Sequence, residues 1–266
     1  MFNTGVVGFD IAAKPPVQLY DDAPLAIKIA LCPLQIIGEL ATKHDAIVVE
    51  DLAYFGMEFR KDYGKSGVEP YQPTVARYTE NYILPLPASK IFSYAGQRIG
   101  MMITSEKLRT RKYPNLKNYF TSDVLGHFIT YGVLYATTAG TAHTAQYALA
   151  AMLKAANDGS IDFVADLQPY REKARQMKEI FLKHGFYIVY CDNDGDLADG
   201  FYFTIAYPGM TSAQLMKEFL YYGISAISLN ITGSENISGL RACVSFVRFD
   251  QIPLLDIRLK AFTQNK

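Results

Sequence analysis

A lysine and an arginine stand eight residues apart in the segment 89–100, which reads SKIFSYAGQRIG. An amine becomes a nucleophile only after it loses its proton, which partial burial beside a second cation favours. Arg98 is permanently charged and its planar guanidinium can fork onto a phosphate, while Gly96 and Gly100 leave room for close approach of the backbone. Lys90 and Arg98 together therefore predict a Schiff base between the lysine and a phosphorylated aldehyde.

The elements around this segment alternate between helices and strands. Residues 34–45 have helical spacing. Within 46–55, a β-branched run at 47–49 is followed by the acids Glu50 and Asp51, which predicts a buried strand followed by a loop. A further apolar segment, 82–93, leads into the motif that contains Lys90, and 98–105 predicts another strand after it. The segment 119–156 has helical spacing interrupted by TAGT, which predicts two helices.

From about residue 160 the pattern becomes that of a small α/β unit. The amphipathic segment 162–185 begins with an acidic residue and ends in Lys183, His184 and Gly185, which is typical of a capped helix. The elements predicted after it are strands at 186–191, 201–209, 224–229 and 240–249, and helices at 211–223 and 250–264. We therefore expect a domain boundary near residue 155, between residues 1–155 and 156–266.

The composition excludes several classes of protein. Of 266 residues half are apolar, and the 26 basic residues balance the 26 acidic ones, so no global field favours nucleic acid or an anionic membrane. The three cysteines, Cys32, Cys191 and Cys243, are far apart and predict neither a disulfide framework nor a zinc site. No signal peptide or long apolar run is found, so we expect a cytoplasmic protein.

The segment 89–100 resembles the signature of the fold type I pyridoxal-phosphate enzymes, especially the class I and II aminotransferases. That signature is a Ser-Lys step followed by Gly-x-Arg-aliphatic-Gly, matched here by Ser89, Lys90, Gly96, Arg98, Ile99 and Gly100. The resemblance implies that Lys90 forms the Schiff base with pyridoxal 5'-phosphate and moves the proton, and that Arg98 holds the cofactor phosphate. It also implies an α/β fold: a three-layer large domain with a mostly parallel sheet, and a small C-terminal α/β domain.

A second family motif, Asp-x-x-Tyr at a strand end, is matched by Asp51 and Tyr54, and Asp51 stands 39 positions before Lys90. In the family the aspartate pairs with the ring nitrogen of the cofactor and the tyrosine hydrogen-bonds its ring oxygen. A carboxylate in that place keeps the ring protonated and able to accept electrons. Glu50 is the rival carboxylate, and the spacing to Tyr54 favours Asp51.

A third element is an arginine near the chain end. Family members that act on amino acids bind the α-carboxylate with such an arginine, and Arg241 in GLRACVSF resembles it. A guanidinium holds a carboxylate through two parallel hydrogen bonds, which fixes the substrate for bond cleavage. Arg248 is the rival for this role.

The sequence also departs from the family pattern. The resemblance covers residues 34–266, and the front of the family fold, including its phosphate-binding glycine turn, has no counterpart. No asparagine occurs between Asn3 and Asn81, where the family has a partner for the ring oxygen. Pro87 replaces a serine that binds phosphate, so Ser89 is expected to substitute in part. Either the chain is truncated or degenerate, or the 266 residues omit segments of a longer chain.

These observations favour a cytoplasmic, homodimeric aminotransferase that moves an amino group between an amino acid and a 2-oxo acid. Two alternatives stay open: another reaction of the same cofactor, such as that of a lyase, racemase or decarboxylase, and a non-catalytic homologue. His44 and His184 are expected to be structural at helix ends. Thr141 and His143 lie in a segment that in the family approaches the neighbouring subunit's site.

Overall fold

The computed structural model describes residues 31–57, 68–69, 71–190, 200–234 and 237–265. These residues divide into two compact units. The first unit contains the described residues up to Phe55 and those from 68 to 161, and the second contains 56–57 and the described residues from 162 onward. Residues 191–199, which include the end of the strand expected at 186–191 and the connection to the strand expected at 201–209, lie outside the described residues.

The first unit has the helix and strand order that the sequence predicts, with short helices added around Lys90 and after the third strand. A π-helix, Phe128–Tyr135, continues the short helix that ends at His127 and leads into the one that begins at Ala136. The elements are α1 (Leu31–Lys43), β1 (Val48–Val49), β2 (Tyr82–Pro87), α2 (Ala88–Ile91), β3 (Gly100–Thr104), α3 (Glu106–Thr110), α4 (Leu125–His127), α5 (Ala136–Thr138) and α6 (His143–Asn157).

The sheet of this unit is mixed, in the order β1-β2-β3. β1 runs parallel to β2, with Val48 level with Tyr82, and β3 runs antiparallel to β2. Beyond β1 the backbone amides of Glu50 and Leu52 still donate to the carbonyls of Ile83 and Pro85, at 3.0 and 2.9 Å.

Two prolines explain why β1 pairs over so short a length. The N–H and C=O groups of one strand residue point to the same side, and the Pro85 carbonyl faces β1. Pro85, and Pro87 two residues on, therefore present carbonyls but no amide donors to that side. The ladder loses its donors from β2 just where the chain approaches Lys90.

The second unit is built on an antiparallel sheet in the order β4-β5-β7-β6. Its hydrophobic core contains Phe181, which makes ring contacts with Phe186, Phe203 and Phe219 at centroid distances of 5.3, 5.8 and 6.3 Å. The elements are α7 (Gln168–Lys183), β4 (Tyr187–Ile188), β5 (Tyr202–Ala206), α8 (Ser212–Tyr221), β6 (Ile227–Ser228), β7 (Leu240–Cys243) and α9 (Ile252–Gln264).

The end of α7 is tied to α9 by charge. Asp256 accepts from Lys183 at 2.9 Å, and the His184 ring nitrogen lies 2.7 Å from its other oxygen. The hydrogen bonds from Lys183 and His184 hold the pKa of Asp256 below its ordinary value. His184 thus has the structural place at a helix end that the sequence predicts. Within the described ranges, no helix is both long and apolar enough to cross a bilayer.

Gly100 and Gly96 differ sharply in the space around them. A Cβ at Gly100 would lie 2.9 Å from the Pro87 Cα, whereas one at Gly96 would meet nothing within 4 Å. We expect Gly100→Ala to lower the free energy of unfolding by about 1–3 kcal/mol, because backbone must move to admit the methyl group. Urea unfolding measures the loss.

Gly96→Ala is the matched control in the same motif. It should change the free energy of unfolding by about 0.5 kcal/mol or less. Equal destabilisation by the two variants would contradict this account of the glycine at position 100.

Candidate active site

Lys90 lies in α2, the single helical turn that follows β2. The turn starts after Pro87, whose extended backbone ends the strand, and Ala88 anchors it because that side chain is buried. Lys90 is half-buried, and its Nζ lies 5.4 Å from the centroid of the Tyr54 ring. The structure therefore brings together two residues that are 36 positions apart in the sequence.

Asp51 follows β1 at the same edge of the sheet. Because β1 and β2 are parallel, their carboxyl ends point the same way, and ligands of open α/β sheets bind at such an edge. Asp51 is exposed, and one of its carboxylate oxygens accepts from the Ala53 amide at 3.0 Å. This local bond turns the chain after the strand and leads it into Tyr54.

The rival acid, Glu50, has a different task. Its carboxylate accepts from the Val75 amide at 2.8 Å and so anchors the short 3₁₀ helix Val75–Arg77 to the end of β1. Burial raises the pKa of Glu50 above its ordinary value, although the bond from Val75 acts in the opposite direction. Glu50 is therefore committed to the fold, which leaves Asp51 as the exposed acid at this edge.

Arg98 and Lys90 belong to one loop whose ends meet. The Ala88 amide donates to the Ile99 carbonyl at 3.2 Å, and the Tyr94 amide donates back to Ala88 at 3.2 Å. The short connection between the charged residues of the motif is thus closed into a compact turn. Ser89 lies in this turn beside Lys90 and is half-buried.

The backbone of Arg98 is left-handed, with φ at 53°, a conformation that costs energy for a residue with a side chain. The Arg98 side chain is exposed and its Nη1 donates to the Ala95 carbonyl at 2.8 Å. Among the residues that the structure describes, Arg98, Lys90 and Asp51 share no hydrogen bond. All three residues belong to the first unit, but they do not bind one another directly.

Arg241 lies on β7 in the second unit. It is half-buried, and its guanidinium carbon lies 4.1 Å from the centroid of the Tyr202 ring. Gly239, two residues earlier, admits a close crossing, because a Cβ there would lie 2.8 Å from the Ile205 carbonyl oxygen. The Gly239 amide donates to the Ser212 hydroxyl at 2.8 Å, which fixes the entry into the strand.

The rival Arg248 is already engaged. Its Nε and Nη2 donate to the two carboxylate oxygens of Asp250 at 2.9 and 2.8 Å. The same bond from Arg248 keeps the pKa of Asp250 below its ordinary value. Arg241 instead lies over the Tyr202 ring and has no carboxylate partner among the described residues, so its charge stays available to a ligand.

Sequence reasoning did not single out Tyr202. Its relation to Arg241 depends on the register between β5 and β7, in which Thr204 lies opposite Arg241 and Tyr202 lies opposite Cys243. Alternation of side chains along each strand was visible in the sequence, but the pairing of the two strands was not. The remaining candidates, Thr141 and His143, lie just before and at the start of α6.

The model of the family described as aminotransferase class I and II matches residues 22–221. The chain belongs to the class I and II aminotransferase family. This confirms the resemblance carried by the lysine and aspartate motifs, and pyridoxal 5'-phosphate is the cofactor of that family. A search of curated proteins found no match.

Solved aminotransferases share the fold. A double mutant of Thermus thermophilus aspartate aminotransferase aligns with a TM-score of 0.63 at 16% identity, over 91% of this chain and 54% of that chain. The α-aminoadipate aminotransferase of Thermus thermophilus, complexed with N-(5'-phosphopyridoxyl)-L-leucine, gives 0.64 at 15% identity, over 91% and 57%. The aromatic aminotransferase of Pyrococcus horikoshii gives 0.63 at 16% identity, over 88% and 55%.

The chain therefore spans about half the length of the aminotransferase structures that it matches. The α/β fold class is confirmed, with a mixed sheet in the first unit. The assignment of residues 1–155 to a cofactor-binding domain and of 156–266 to a closing domain stays a prediction.

The buried Glu50 predicts a pH-dependent difference between two variants. Because its pKa is raised from 4.5 in the folded state, the folded protein keeps this proton where the unfolded chain has lost it. The contribution of Glu50 to the free energy of unfolding is therefore present at pH values below the ordinary pKa of a glutamate, and it is lost as the pH rises through the raised pKa of the folded state. Glu50→Gln keeps an oxygen for the Val75 amide and removes this loss.

Urea unfolding at about pH 4 and about pH 8 measures the effect. The free energy of unfolding of Glu50→Gln minus that of wild type should be larger at about pH 8 than at about pH 4. Glu50→Ala, which has no acceptor for Val75, should be less stable than Glu50→Gln at both. A difference between Glu50→Gln and wild type that does not change with pH would contradict the interpretation.

Proposed function

We propose that the protein is a pyridoxal-phosphate-dependent aminotransferase that moves an amino group between an amino acid and a 2-oxo acid. The observation that carries the proposal is the contact of Lys90 with Tyr54, at 5.4 Å from the ring centroid, beside the strand end that bears Asp51. The amine of Lys90 follows β2, and the phenol of Tyr54 and the carboxylate of Asp51 follow β1, so all three groups belong to segments that leave the same edge of the parallel strands. Those groups fit an aromatic aldehyde with a ring nitrogen and a ring hydroxyl.

Each residue has a role that its chemistry supports. Lys90 would hold the cofactor through its amine and, once released, move a proton at the substrate Cα. Asp51 would keep the ring nitrogen protonated, and the Tyr54 hydroxyl would bind the ring oxygen. The cofactor supplies an electron sink for the bond that is broken at Cα.

The phosphate end would be held by Arg98, assisted by the Ser89 hydroxyl. Arg98 is exposed on a closed turn, and its guanidinium has donors besides the Nη1 group that bonds the Ala95 carbonyl, with which it can bind a phosphate. The left-handed backbone at Arg98 supports a functional role, because such strain is concentrated at binding sites. Because Pro87 replaces the family's phosphate-binding serine, Arg98 and Ser89 would have to supply the hydrogen bonds to the phosphate that this serine gives in the family.

Arg241 would bind the α-carboxylate of the substrate. Arg241 is half-buried, which strengthens a charge-assisted bond, and its guanidinium carbon lies over the Tyr202 ring. Arg248 is less suited because the carboxylate of Asp250 already occupies it.

We further propose that the protein is cytoplasmic and acts as a homodimer, with the π-helix face of the first unit at the interface. Tyr131 and Tyr135 are 58% and 59% exposed there, and Tyr147 on α6 is 78% exposed. Tyr131 also lines an open cleft of about 560 Å³ beside His127. Large exposed aromatic side chains of this kind are enriched at protein interfaces.

Attachment of the cofactor is tested on the full chain incubated with pyridoxal 5'-phosphate. Borohydride reduction followed by peptide mapping should place the phosphopyridoxyl group on the peptide that contains Lys90. Lys90→Ala should lose the visible imine absorbance and the label, because the amine that lies beside Tyr54 is gone. Lys107→Ala, which removes an exposed lysine of the same unit, should retain both.

Label on another lysine would contradict the assignment, as would complete absence of label on folded protein. Release of a 2-oxo acid when an amino acid is added would then separate a transaminase from a protein that only binds the cofactor.

The interface is tested by sedimentation. Tyr131→Asp combined with Tyr135→Asp should convert a dimer to a monomer, because charges would be buried at its centre. Tyr221→Asp, at a residue of the second unit that is 74% exposed, is the control and should leave the mass unchanged. A monomeric wild type, or a double variant that stays dimeric, would contradict the proposed interface.

A further inference from the structure

We propose that Tyr202 is a positioning residue for Arg241 and thereby favours substrates that carry a carboxylate. Its ring holds the guanidinium from one face and leaves the in-plane N–H groups free for the ligand. The inference rests on the proposed role of Arg241 as the carboxylate-binding residue. It adds a residue that touches the arginine rather than the substrate.

The geometry follows from the sheet register. Residues opposite each other in an antiparallel pair point to the same face, so Tyr202 and Thr204 share a face with Arg241 and Cys243. Tyr202 is diagonal to Arg241, a distance that aromatic and long side chains span. The guanidinium carbon lies 4.1 Å from the ring centroid, which is within cation–π range.

The other cross-strand neighbours of Arg241 offer it no charge. Thr204, directly opposite on β5, is fully buried, and its hydroxyl accepts from the Tyr190 amide at 2.9 Å. Ile227, opposite on β6, is apolar. The ring of Tyr202 is therefore the cross-strand group best suited to orient the guanidinium.

A ring has an advantage over a carboxylate in this place. Arg248 and Arg175 are bound by carboxylates in the described structure, and such pairing uses the planar donors that a substrate carboxylate needs. Tyr202 instead offers the guanidinium a ring that accepts no hydrogen bond in the plane of those donors, so they stay available to a substrate carboxylate. It also restricts a side chain that otherwise loses much rotamer freedom on binding.

The strand that carries Tyr202 is closely packed. The four residues that follow it on β5 are almost fully buried, in the order Phe203, Thr204, Ile205 and Ala206. Tyr202 also lies edge-on to the Phe201 ring at 6.4 Å, and Phe201 lies edge-on to Tyr170 at 4.9 Å. A ring held in this way fixes the arginine before the substrate arrives, which lowers the entropy lost on binding.

The test compares two probes on the full chain loaded with pyridoxal 5'-phosphate. Pyruvate and pyruvamide have nearly the same shape, but only pyruvate carries a carboxylate. Their dissociation constants are measured by ligand-detected NMR. Tyr202→Leu should weaken pyruvate roughly three- to tenfold and leave pyruvamide unchanged, because only the carboxylate needs the oriented guanidinium.

Tyr202→Phe is the matched control, because it removes the hydroxyl and keeps the ring, and it should bind pyruvate like wild type. Tyr202→Val provides a second variant that preserves strand propensity should the leucine variant unfold, and it should behave as Tyr202→Leu. Equal weakening of both probes by the aliphatic variants would indicate a merely structural role and overturn the inference.

Arg241→Leu separates this inference from the proposed function. Weaker pyruvate binding in Arg241→Leu, together with wild-type binding in both aliphatic Tyr202 variants, would refute the role of Tyr202 and leave that of Arg241 standing. Unchanged pyruvate binding in Arg241→Leu would refute the carboxylate role itself. In the double variant Arg241→Leu with Tyr202→Leu, the two losses should fall well short of adding, because both act on one interaction.

Discussion

Parallel pairing between β1 and β2 places the ends of both strands at one edge of the first unit's sheet, and the arrangement of its candidate cofactor residues depends on that pairing. The backbone bonds from Glu50 and Leu52 to β2 carry the chain past Asp51 and into Tyr54. β2 then ends in a helical turn that presents Lys90. Had the strands been antiparallel, the aspartate and the lysine would have left the sheet at opposite edges.

Two prolines and a glycine determine how the backbone pairing of this sheet ends near Lys90. Pro85 and Pro87 supply carbonyls but no amides toward β1, so pairing weakens without leaving buried donors unsatisfied. On the other side Gly100 allows β3 to approach Pro87 closely, and the bond from Ala88 to Ile99 closes the loop that carries the cationic pair. The spacing from Lys90 to Arg98 is therefore the length of a turn that must return to its own sheet.

The second unit provides a different kind of support. An aromatic core fixes β5, and the crossing at Gly239 fixes the start of β7, so that Arg241 projects from a sheet rather than from a mobile loop. The guanidinium of Arg241 stays available to a ligand because its neighbour is the ring of Tyr202 and not a carboxylate. The same sorting by neighbour distinguishes Asp51 from Glu50, because burial and the Val75 amide commit one acid to the fold while the other stays exposed.

The sequence by itself determined the family, the cofactor and the order of elements, because the motifs around Lys90 and Asp51 require particular chemistry at particular spacings, and because apolar periodicity reports secondary structure directly. It favoured Asp51 over Glu50 and Arg241 over Arg248, although it could give no physical account of either choice. Only the tertiary structure decided which face of each strand meets which, and hence that Tyr54 lies beside Lys90 and Tyr202 beneath Arg241. Those contacts join residues far apart in the chain, and they depend on strand register and on burial, which local sequence does not encode.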